Sequence, residues 1–123
     1  MKSNKPRRIL VPIDFSEESM NTLRLAKLLA ERWRAQLDLL HVIAPLPPTF
    51  PPPRGTFPIA PSAKRTARAD LKRLENFAFE QSVQPLPYSC TIRLGASAEE
   101  INETARKTDA NLIAIATRGY MGY

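Results

Sequence analysis

Asp14, Gly119 and Gly122 are the residues of this sequence whose types and setting suit the binding of a ligand, the glycines that of an anion. Asp14 follows the apolar run Ile9-Leu10-Val11-Pro12-Ile13 and precedes Phe15-Ser16. An acid between a strand and a helix can turn its carboxylate toward the cleft where strand ends and helix amino termini meet. The alternative is that it only caps the helix opening near Ser16. Gly119 and Gly122 lie in Thr117-Arg118-Gly119-Tyr120-Met121-Gly122, past a second apolar run. They remove side chains from a turn, so that backbone amides can approach an anion closely. Arg118 beside them either meets a phosphate or faces solvent. This is binding chemistry. No lysine follows a glycine as in a Walker loop, no dinucleotide fingerprint is complete, and neither paired zinc ligands nor a nucleophile with its base is present. His41, the only histidine, stands in an apolar strand, the setting of a packed and hydrogen-bonded side chain rather than of a general base. We therefore expect no enzyme activity.

These residues need a scaffold, and its elements are legible in turn. Ser16 can cap a helix whose first turn holds Glu17 and Glu18, at the positive end of the helix dipole. Leu23, Ala26, Leu29, Ala30 and Trp33 then recur at helical spacing and predict one apolar face. Gln36 to Ile43 reads as a strand buried on both faces. Pro45 to Pro61 holds eight prolines and predicts an extended proline-rich loop over residues 45–61. A second helix is expected from about Ser62 to Ser82, with Ala67, Leu71, Leu74 and Ala78 inward. Tyr88 to Leu94 predicts a third strand, ended by Gly95. Ser97-Ala98-Glu99-Glu100 reads as a capping box, and Ile101 and Ala105 give the third helix its inner face. Asn111 to Thr117 predicts a fourth strand, apolar enough to be central. This alternation implies an α/β fold with a parallel sheet and right-handed crossovers.

The totals set bounds on function. A chain of 123 residues makes one domain, 1–123, with little surplus. A formal charge of +6 permits phosphate ligands, but the basic residues are spread along helix faces, as solvated lysines and arginines are. They are not interleaved with aromatics, so nucleic acid is not an expected partner. Cys90 is the only cysteine, which excludes an intrachain disulfide and suits a reducing cytoplasm. The apolar stretch from Ile9 to Ile13 is too short for a signal peptide or a membrane span, so no membrane partner is expected.

An opening strand that ends in an acid followed by Phe-Ser, with a late strand running into a glycine turn, resembles the universal stress protein family. The resemblance covers nearly the whole chain. It implies a three-layer, Rossmann-like or flavodoxin-like open parallel sheet and a stress-response regulatory module that binds ATP or a related adenine nucleotide. On the family's pattern Pro12, Asp14, Val42, Gly119 and Gly122 are the binding residues. The acid lies by the ribose or phosphates and can hold magnesium, and the backbone at Val42 contacts adenine. The family's glycine turn continues with nine residues and then glycine with serine or threonine; here the sequence stops at Tyr123. The expectation is therefore a half-formed phosphate cradle, weak binding, and a sheet whose usual fifth strand is missing. The uncovered edge of the fourth strand would then favour a homodimer. The rival reading is a dimerisation or interaction module of the same fold that binds no nucleotide.

Overall fold

The structure is a computed structural model that describes residues 7–44, 61–81, 83 and 85–116, for 61–64 the backbone alone. Gly119, Gly122 and the proline-rich stretch 45–60 lie outside the described residues. The elements alternate as β1 (Arg8–Pro12), α1 (Glu17–Trp33), β2 (Gln36–Ile43), α2 (Pro61–Glu80), β3 (Tyr88–Leu94), α3 (Ser97–Thr108) and β4 (Leu112–Ile113). The four strands are parallel and ordered β3-β2-β1-β4, the order of the first four strands of a Rossmann sheet.

β1 and β2 are internal, and their side chains alternate between two buried faces. Ile9, Val11, Ile13, Leu37 and Leu39 join Leu23, Ala26 and Ala30 of α1 and Leu74, Phe77 and Ala78 of α2 in one core. Leu10 and Leu40, out of phase with that set, are also wholly buried. The pleat turns them to the opposite face, where α3 meets β1 and β2. Helix, sheet and helix thus form three layers, and the near-continuous apolar runs of β1 and β2 are what burial on both faces demands.

Four expectations need correction. Trp33 is 41% exposed. It stands on the last residue of α1, at the amino end of the sheet, and the Arg7 guanidinium covers its ring at 5.7 Å. Pro61 opens α2 rather than closing the loop, since a proline's fixed φ suits a first helical position. The box at Ser97 does not form: the cap is Ala96, without a side-chain bond, and Ser97 is already helical. Glu100 is thereby one residue too far along to reach the cap amide, and its carboxylate accepts from Arg93 Nε at 2.9 Å instead. β4 is also shorter than Asn111–Thr117 and not central. Leu112 and Ile113 are both exposed, and among the described strands only β1 pairs with β4. A run of β-branched residues signals a strand, but not which strand will lie beside it. No described helix is long and apolar enough to cross a membrane.

Candidate functional site

The strand order reverses between β1 and β4. From β1 the chain winds outward through β2 and β3, and then returns by α3 to pair β4 with the other side of β1. The crevice beyond the carboxyl ends of two such strands is where open α/β sheets take ligands. Pro12 determines where it opens. Leu10 O accepts from Ala114 N at 2.9 Å on the β4 side, and Ile13 N donates to Leu40 O at 2.7 Å on the β2 side. Successive residues face alternate neighbours, so Pro12 faces β4, and proline has no N–H with which to continue that ladder. The paired register accordingly ends at Leu10 with Ile113.

The turn that follows is held by short-range bonds. Ser16 is the helix cap: its Oγ accepts from Ser19 N at 3.1 Å. Asp14 is not that cap. Its Oδ1 accepts from Ser16 N at 2.9 Å and from the Ser16 hydroxyl, and its residue is exposed at the mouth of the crevice. Between them Phe15 takes a left-handed backbone, φ 66°. This conformation is uncommon for so bulky a residue and costs about 1–2 kcal/mol. The ring supplies the compensation. It lies 4.6 Å from the His41 ring, 6.1 Å from Phe77 in an edge-on arrangement, and 4.0 Å under the Arg73 guanidinium.

His41 meets the expectation of a packed, hydrogen-bonded histidine. Its Nδ1 lies 2.7 Å from the Ile13 carbonyl oxygen and its Nε2 lies 3.4 Å from Asp70 Oδ2 on α2. Asp70 and Phe15, and Arg73 over the Phe15 ring, are distant from His41 in the chain, and only the spacing of Asp70 and Arg73 along one helix face signals in the sequence that they act together. Val42 is the next residue of β2, half-buried and paired with Arg93, two positions beyond the Pro12–Leu40 rung. Pro12, Asp14 and Val42 are thus brought to the carboxyl end of the sheet. Among the described residues no cluster of three or more histidine, cysteine or acidic side chains can hold a metal. Asp14 therefore suits magnesium only in the manner of one carboxylate complemented by ligand phosphates and water. Cys90 sits on β3, at the far side of the sheet. Burial, followed by the nearby Glu75 carboxylate, pushes its thiol up to about 11, which keeps it protonated and unreactive near neutrality.

The comparisons with known proteins agree with this architecture. A protein of the universal stress protein family from Burkholderia pseudomallei superposes with a TM-score of 0.68 at 22% identity, over 94% of this chain and 85% of its own. UspA from Lactobacillus plantarum gives 0.66 at 19% identity, over 98% and 86%. A universal stress protein crystallised in complex with cAMP gives 0.61 at 17% identity, over 88% and 70%. At these identities the likeness is one of fold. No curated protein sequence matches. The sequence profile of the universal stress protein family, however, matches residues 5–122, nearly the full length, and the chain belongs to that family.

Proposed function

We propose that this protein is a cytoplasmic stress-response regulatory module, a single domain that binds ATP or a related adenine nucleotide without turning it over. The carrying observation is the position of Asp14, exposed on a cap-bonded turn at the reversal of strand order where Pro12 ends the β1–β4 ladder. The cAMP complex among its structural neighbours supports the choice of an adenine nucleotide. On this reading Pro12 and Asp14 line one wall, the backbone at Val42 meets the base, and Gly119 and Gly122 give amides to the phosphates. Magnesium carried by those phosphates would be held by Asp14 and would neutralise their charge. Titration calorimetry with ATP and with cAMP, each with and without magnesium, tests the reading. We expect saturable one-site binding; no heat up to millimolar nucleotide would overturn it.

A second reading rests on a different observation. Leu112 and Ile113 of β4 and Ile115 just beyond it are exposed, and an apolar strand margin of this kind serves to pair with a second copy. A homodimer joined there would act as an interaction module whether or not nucleotide binds. Sedimentation over a concentration series should show a dimer, and a folded monomer throughout the micromolar range excludes this mode of assembly.

A further inference from the structure

We propose that His41 is a positioning residue for the nucleotide site: from β2 it holds the Ile13 carbonyl and the Phe15 ring, and so sets the direction in which Asp14 presents its carboxylate. The inference rests on the reading of the β1–α1 turn as part of that site, but its structural half can be tested without any ligand.

A backbone carbonyl only accepts, so Nδ1 at 2.7 Å from Ile13 O must carry the proton of that bond. The bond grips the residue immediately before Asp14. The His41 ring also supports the Phe15 ring at 4.6 Å, immediately after Asp14. Asp14 is therefore bracketed on both sides by residues that touch one imidazole, while its own Oδ1 is engaged with Ser16. Because Phe15 is left-handed, the turn would relax toward an ordinary backbone if its ring were released. The other nitrogen of His41 lies 3.4 Å from Asp70 Oδ2, an ion pair when the ring carries both protons, and Phe15 is covered by Arg73 and Phe77. All three belong to α2, so the position of α2 is transmitted to the turn through two rings.

Side-chain shape separates this role from simple core filling. Asparagine can place its Nδ2 donor where the Nδ1 of histidine stands, but it cannot reach Asp70. Leucine fills the space and offers no donor. The ligand-free readout is the exchange of the Ser16 amide, which is protected in the native turn by Asp14 Oδ1. We expect His41→Leu to lose that protection and to weaken ATP binding about fivefold, the net worth of one hydrogen bond. His41→Asn should restore both to within about twofold of the parent. Asp70→Leu leaves the imidazole in place but removes its partner at Nε2; it should loosen the turn less than His41→Leu does, so it carries the test should His41→Leu fail to fold. Unchanged Ser16 exchange in His41→Leu, or in Asp70→Leu when that variant stands in, overturns the proposal, as does equal loss in the two His41 variants, leucine and asparagine. If the exchange pattern follows expectation while the parent binds no ATP, the nucleotide reading fails and the positioning of the turn stands.

Discussion

Arg8 on β1 reaches diagonally across to Asp38 on β2, a residue only 3% exposed, and binds its carboxylate with two guanidinium nitrogens, Nε at 3.0 Å and Nη2 at 3.3 Å. Gln36 Nε2 and Ser89 Oγ each donate to the same carboxylate at 2.8 Å. One buried charge thereby ties together three adjacent strands at the amino end of the sheet, opposite the candidate site. A buried charge tolerates the loss of a partner poorly, whereas replacing the whole pair costs much less.

Arg8→Met should therefore destabilise the fold by about 2 kcal/mol, the scale of hydrogen bonds to a charged group, moderated because Arg8 is itself partly exposed. The double variant Arg8→Met/Asp38→Leu should recover a substantial part of that loss. Urea unfolding midpoints of the single and double variants measure both, and a double variant no more stable than Arg8→Met alone would contradict the account.

Asp14→Asn keeps the oxygen that accepts from Ser16 N and removes the charge. Stability should change by less than about 0.5 kcal/mol, because the helix cap is Ser16. Magnesium-dependent ATP affinity should fall about tenfold. Calorimetry beside a thermal melt distinguishes the outcomes, and undiminished affinity would leave Asp14 as a turn-former only.

Much of this was legible in the sequence because it was local. The runs at Ile9–Val11 and Leu37–Leu40 announce strands buried on both faces, and Ser16 with Glu17 and Glu18 announces a helix start. What escaped depended on tertiary placement. Trp33 has the right angular position for the core but overhangs the end of the sheet. The ring cluster around Phe15 draws on β2 and α2, with nothing in the local pattern to announce it. Ser97 matches the capping pattern, yet Ala96 is the cap and Ser97 is already helical, directly after Gly95 with its φ of 149°.

Gly95 has φ 149°, and a Cβ placed there would come within 2.6 Å of Glu100 Oε2. The Glu100 side chain can swing aside, but the backbone angle cannot be relieved in this way. Gly95→Ala should cost about 1–2 kcal/mol, mainly through the backbone. Adding Glu100→Ala should recover little of it in chemical denaturation; full recovery would assign the cost to the side-chain clash instead.

Cys90 gives a pH signature at the alkaline end. Its thiol ionises from 9.0 when unconstrained and from about 11 in the fold, raised by burial and then by Glu75. With the folded value raised, its contribution to stability is complete below pH 9 and is lost as pH climbs through 11. The unfolding midpoint should therefore drop across that window, and less so in Cys90→Ala. Iodoacetamide should label the native protein at pH 8 far more slowly than the urea-unfolded chain; equal rates would contradict burial of the thiol.

The β1–β4 pairing also has a kinetic meaning. Arg8 N donates to Asn111 Oδ1 across a sequence separation of 103 residues, whereas β1 reaches β2 across one helix and β2 reaches β3 across another. Closing so long a span is entropically the most expensive contact in the sheet and is expected late in folding. A nascent chain can thus complete β1, β2, β3 and their helices while the crevice beside Asp14 still has only one wall. On the proposed function, competence to take a ligand arrives with the β1–β4 pairing, so a folding intermediate well formed by every probe of helix and core would yet be blind to nucleotide.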